Sequence, residues 1–151
     1  MFKSKNIILS CVFLVTALLL SGCSNDWVEV GGTKDYIIYY KPSSVKIDKY
    51  NKTIEVLTKY VYTKEGIISA KEMFGPYIQN KDYFDKFSYS LDLYLFNYKD
   101  WKYAIIQNIV YSKSDGILFN KENPPEWEKI VNTNISLILI NTLIREYKIK
   151  M

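Results

Sequence analysis

The chain has 151 residues, 48% of them hydrophobic and 16% aromatic, enough for one domain with a real core. It contains no histidine, which removes the commonest general base, the commonest metal ligand and haem ligation through imidazole. The net charge of +4 includes Lys3 and Lys5, in a segment expected to be removed. The remaining 18 Lys and Arg alternate with 16 acids and form no basic cluster, so nucleic acid is not an expected partner.

The first element is a leader. Lys3 and Lys5 precede an apolar run, residues 7–20, interrupted only by Ser10 and Thr16. A positive start, a short apolar core and small residues before a cut site make a secretory signal. The run falls short of the roughly 20 residues a membrane-spanning helix needs. Its end, Leu20-Ser21-Gly22-Cys23, resembles the lipobox of bacterial lipoproteins. That resemblance implies a diacylglycerol thioether on Cys23, cleavage before it, and acylation of the new amine by a fatty acid such as palmitate. Residues 1–22 are then the signal peptide and residues 23–151 the mature domain. A non-lipidated signal or an uncleaved anchor are the other readings. The partner implied is membrane lipid, held stably because two or three chains act together where one gives marginal binding. Ser24 follows the cysteine; in enteric-type sorting an Asp there retains the protein at the inner membrane, so outer membrane or cell surface is expected. Cys11 is the only other cysteine, so cleavage and acylation leave no thiol and no disulfide.

The folded domain must begin almost at once, near Trp27-Val28-Glu29-Val30. Gly31-Gly32 reads as a turn or loop. Tyr36–Tyr40 is a strand ended by Lys41-Pro42, and Ser43–Asp48 a short irregular or edge segment. After a turn at Tyr50-Asn51-Lys52, Thr53–Thr63 alternates strictly, with Ile54, Val56, Thr58, Tyr60 and Tyr62 on one face. Lys64-Glu65-Gly66 breaks the strand. Ile67–Phe74 has a weak helical spacing, Gly75-Pro76 stops it, and Tyr77–Lys86 is polar and loop-like.

The stretch from Phe87 to Tyr111 reads as two long strands about a reversal at Tyr98-Lys99-Asp100, the centre of a small antiparallel sheet. On the first strand Phe87, Tyr89, Leu91, Leu93 and Leu95 share a face, opposite Ser88, Ser90, Asp92, Tyr94 and Phe96. On the second, Trp101, Tyr103, Ile105, Gln107, Ile109 and Tyr111 share one side. Tyr94 and Phe96 are candidate interface residues, because aromatics beside hydroxyls are favoured at protein contacts; the competing reading is that a terminal helix covers this face and makes them core. Ser114-Asp115-Gly116 is a turn, Ile117–Phe119 a short strand and Lys121–Pro125 a loop. Ile135–Tyr147 is the clear helix, with Asn134 as N-cap and Ile135, Leu139, Leu143 and Tyr147 aligned, joined by Ile138 and Ile140. The fold class expected is α+β: an antiparallel β-sheet with a C-terminal α-helix packed on one face.

With the elements ordered, the mature chain resembles the surface-adhesin protein E family of bacterial lipoproteins. The resemblance is carried by Trp27 soon after Cys23, YIIYYKPSSVKI, VYTKEGI, SYSLDLYLFNY, YSKSDGIL and PEWEKI before the terminal helix, from Trp27 to Ile144. It implies an antiparallel sheet with a C-terminal helix on one face, and surface display with binding of host matrix or serum proteins such as laminin and vitronectin. The family's two cysteines, which tie helix to sheet, match positions about Tyr98 and Ile144 here. Both are absent together, and mutual burial of Tyr98 and Ile144 would replace part of the bond.

No nucleophilic cysteine, Gly-rich phosphate loop or G-x-S-x-G motif is present. Paired acids such as Asp82 and Asp85, or Glu126 and Glu128, are of a type used on glycosides, but they sit in polar segments where solvation is the ordinary state. The expectation is no enzyme, no cofactor and no metal site. Two functions stay open: a surface adhesin for extracellular-matrix or serum proteins, and a periplasm-facing accessory or structural lipoprotein that binds another envelope component. An exposed sheet edge would allow a homodimer in either case.

Overall fold

The computed structural model describes residues 26–78, 86–131 and 135–150. The leader with Leu20, Ser21, Gly22 and Cys23, the acids Asp82 and Asp85, and the expected N-cap Asn134 lie outside these residues.

Eight antiparallel strands form one sheet: β1 (Val28–Gly32), β2 (Tyr36–Tyr40), β3 (Lys46–Asp48), β4 (Thr53–Tyr62), β5 (Phe87–Asn97), β6 (Lys102–Ser112), β7 (Ile117–Glu122) and β8 (Glu128–Lys129). The spatial order is β1-β2-β4-β5-β6-β7, with β3 on the first half of β4 and β8 on the start of β6. Among the described residues two α-helices, α1 (Lys64–Phe74) and α2 (Ile135–Glu146), pack with it. The expected α+β class, with a C-terminal helix against one face of an antiparallel sheet, is the architecture observed.

The alternation of β4 and β5 builds the core. Ile54 and Val56 pair in register with Phe96 and Tyr94, so all four project to one face. There Leu139, Ile140 and Leu143 of α2 close over them, and Tyr98 and Ile144 join the same cluster. Apolar residues three and four apart give α2 the stripe such docking needs. Ile138 lies off it and is 47% exposed, contrary to its expected place in the stripe. A second, smaller core gathers Ala70 and Phe74 of α1 with Ile78, Phe87 and Val110. Val110 pairs with Ser90, on the face shared with Tyr94, so both helices cover the same side.

Four local expectations are corrected. Gly31 and Gly32 belong to β1 rather than a turn; a bulge between Glu29 and Gly31, with Gly31 at φ 155°, keeps them in the ladder. Lys121 and Glu122 extend β7 and are not loop. Trp101 is in the reversal, not on β6, held left-handed at φ 51° behind an Asn97 side chain that accepts from the backbone N–H groups of Lys99 and Asp100. Bulges between Phe87 and Tyr89 and between Leu93 and Tyr94 break the strict alternation of the hairpin: Phe87 joins the helix-covered side, while Gln107, Ile109 and Tyr111 face away from Tyr103 and Ile105.

Gly66, read as a strand breaker, lies inside the first turn of α1, where its N–H bonds the Thr63 side-chain cap at 3.1 Å. A Cβ there would lie 1.7 Å from the carbonyl oxygen of Asp35, which also accepts from the Thr63 N–H. Gly66→Ala is therefore expected to destabilise by about 1–3 kcal/mol, against the helix-propensity gain of about 1 kcal/mol that alanine brings elsewhere. Urea unfolding checks the sign, and a stabilised variant would remove the close approach of α1 to the β1–β2 turn.

Candidate functional site

Tyr94 and Phe96, the candidate interface residues, are 4% and 0% exposed. Their rings stack at 5.4 Å beneath α2, and the Tyr94 hydroxyl pairs with that of Tyr60 at 2.5 Å. They are core, because the helix takes the side of β5 that carries them. The same side carries a polar seam. Thr58 donates to the Asp92 carbonyl at 3.0 Å, Asn108 Nδ2 donates to Asp92 Oδ1 at 3.0 Å, and Asn123 donates to Asn108 at 3.1 Å. Burial raises the Asp92 carboxyl from 3.8 to about 6, opposed in part by the Asn108 amide. Glu128 is exposed and accepts from the Tyr103 hydroxyl at 2.6 Å. Among the described residues no three acidic, histidine or cysteine side chains converge, so none forms a metal cage.

The opposite side of the sheet is covered by neither helix. Its centre is aliphatic: Leu57 pairs with Leu93, Leu91 with Ile109, and Leu95 with Ala104. These leucines stand side by side in the ladder and are half-buried. Beside them is an aromatic group built around Lys59, whose ammonium lies 4.2 Å from the centre of the Tyr89 ring and 5.8 Å from that of Trp27. Tyr89 stacks on Tyr111 at 4.8 Å, and its hydroxyl donates to Asp115 at 3.1 Å. Burial, then the Asp115 carboxylate, push that hydroxyl up to about 12, so it stays a donor. At the far side of the leucines a recess of about 350 Å³ opens between Leu93, Leu95, Ile106, Glu122 and Pro125.

A face with an aliphatic centre, stacked tyrosines, Trp27 and the charges of Lys59 and Glu122 has the make-up of a protein-contact surface. Sequence reasoning placed Tyr89, Leu91, Leu93 and Leu95 on one face yet chose the other as the candidate. The signal it passed over is Lys59, a charge in mid-strand on the face of Leu57 and Val61. A charge there is tolerated only where that face meets water or a partner.

The model of the family described as surface-adhesin protein E matches residues 27–143. No curated protein and no solved structure matches the chain. No helix among the described residues is long and apolar enough to cross a membrane. The matched span runs from Trp27 through all eight strands to the buried Leu143 of α2, and the chain belongs to the surface-adhesin protein E family.

Proposed function

We propose that the protein is a lipid-anchored adhesin, displayed outside the cell, that binds an extracellular-matrix or serum protein through the open face of its sheet and catalyses no reaction. The observation that carries the reading is that face: leucines beside the Trp27, Lys59, Tyr89 and Tyr111 group, left bare by both helices. The anchor rests on Leu20-Ser21-Gly22-Cys23, with acyl chains on Cys23 and the leader removed. Surface adhesion is the description of the family, and the face supplies a means for it.

Protease shaving of intact cells tests display. The protein is expected to disappear while a periplasmic control survives; survival of both turns the domain inward and makes it an accessory envelope lipoprotein. For the displayed protein, Tyr89→Ala is expected to weaken capture on a laminin- or vitronectin-coated surface by about tenfold or more. Folding should be little affected, since Tyr89 lies outside both cores. Unchanged capture would exclude the open face as the contact.

A further inference from the structure

A second concavity lies at one end of the sheet, away from the open face. It holds about 300 Å³ and is lined by Lys52, Tyr98, Lys99, Trp101 and Lys150. Three of the five lining residues are lysines, and all three are exposed. Among the described residues no carboxylate stands within ion-pair distance of them. The two acids of the neighbouring turns are engaged locally: Asp48 accepts from Tyr50, Asn51 and the Asn51 amide, and Asp100 from Asn97. Tyr98 is buried and Trp101 half-buried, so the same concavity has an aromatic wall. Lys52 and Trp101 both hold the left-handed backbone, φ 59° and 51°, a conformation bulky residues seldom adopt outside constrained turns. These turns fix the backbone beneath Lys52 and Trp101.

The lining is mostly ring and lysine-stem surface with ammonium groups on the lining lysines, so it suits a ligand that pairs an apolar part with hydrogen-bond acceptors. An anionic ligand suits it, because the three ionisable side chains in the lining apart from Tyr98 are all lysines and carry the same positive charge. Strand direction shows what lies beyond. The pocket sits at the end of the sheet where β4 starts, β5 stops and β6 starts. Chain entering β1 comes from the same end: Val28 pairs with Tyr40, Tyr40 with Thr58, and β1 then runs away from Thr53. Asp26 is held by the Ser43 N–H at 3.2 Å, in a segment bonded to Leu57 partway along β4, and the Tyr147 hydroxyl reaches the neighbouring Pro42 carbonyl. Only Ser24 and Asn25 separate Asp26 from Cys23, a reach of about 10 Å at most. Tyr50, 93% exposed, projects from the turn beside Lys52, and aromatic side chains of this kind partition to the membrane interface.

We propose that this pocket binds the phosphate headgroup of an anionic phospholipid, orienting the domain on the membrane that holds its acyl chains. The orientation rests on Cys23 acylation, proposed above; the pocket chemistry does not. Basic pockets with an aromatic wall suit such headgroups, each lysine near an anionic surface contributing about fivefold in binding.

The test uses the full mature chain on vesicles of phosphatidylglycerol and of phosphatidylcholine. Lysine acetylation rates and the mass of the Cys23 peptide are read together. Lys52, Lys99 and Lys150 are expected to react about fivefold more slowly on the anionic vesicles. Lys34 and Lys64, at the far end of the sheet, should react alike on both, and high salt should abolish the difference. Equal rates with acyl mass present on Cys23 overturn the pocket and leave the anchor standing. Absence of acyl mass overturns the anchor. The pocket is then read from the same lysines with vesicles added to the free chain, where salt-sensitive protection supports it and none overturns it. Protection by a sulfated polysaccharide but not by phosphatidylglycerol also overturns it, assigning a glycan site instead.

Discussion

Phe96→Ala is expected to cost about 3–5 kcal/mol, the range for truncating a fully buried aromatic ring. Phe96 is wholly buried between β5 and α2, pairs in register with Ile54 and Tyr103, and stacks on Tyr94. The cavity left would lie between a helix and a strand fixed on both sides by ladder hydrogen bonds, so little collapse can fill it. Leu93→Ala, three residues earlier on the uncovered face, is expected to cost no more than about 1 kcal/mol, because the leucine already meets water. Chemical denaturation of the two variants side by side measures which face is core. Equal costs would mean that a layer covers the leucines in solution, and the binding reading would lose its surface.

Asp92→Asn is expected to stabilise the protein near neutral pH. The folded carboxyl is raised from 3.8 to about 6 by burial, and the hydrogen bond from Asn108 offsets only part of that. A raised carboxyl means that the folded chain holds its proton more tightly than the unfolded chain does. Stability therefore rises as pH falls from about 6 to 3.8, and is lost as pH climbs back through about 6. The displacement of about two units sets an upper limit of about 3 kcal/mol at pH 7. The asparagine keeps an acceptor for Asn108 without the charge. The variant should exceed the wild type by about 2–3 kcal/mol at pH 7 and converge with it at pH 4. Parallel pH curves for the two proteins would show that Asp92 is solvated in the native state.

The strands were legible because alternation survives in β4 and β5 over ten residues or more, and nothing but a strand puts Ile54, Val56, Thr58 and Tyr60 in line. Which face is covered was left between two readings, and the one in which the terminal helix covers Tyr94 and Phe96 is the one observed. β5 has Leu91, Leu93 and Leu95 on one side and Tyr94 and Phe96 on the other, so hydrophobicity alone favours the leucines. The deciding interactions are distant ones: Tyr62 bonds Ser90, Asn108 bonds Asp92, and α2 arrives over Tyr94. The bulges were hidden, since one extra residue opposite Leu93 and Tyr94 flips the remainder of β6 without disturbing its composition. Helix α1 was read three residues short because Gly66 looks like a breaker until Asp35 is seen against it. Tyr98 and Ile144 do join one cluster, as mutual burial at the family's cysteine positions requires.

The strand path β1-β2-β4-β5-β6-β7 follows chain order, so the sheet assembles by adding each long strand to the one made before it. Most such steps close a short connection at little entropic cost, which favours rapid folding for a β-rich chain; the step from β4 to β5 is the long one, with α1 between Tyr62 and Phe87. Helix α2 is the exception. It is made last and lies against strands made first, and the bond from Tyr147 to Pro42 spans 105 residues. A chain emerging from the ribosome amino end first thus keeps Tyr94, Phe96 and Ile54 uncovered by α2 until its final residues are released. Chaperone dependence and proteolytic loss should concentrate in that interval, and a truncation before Ile135 would prolong it indefinitely.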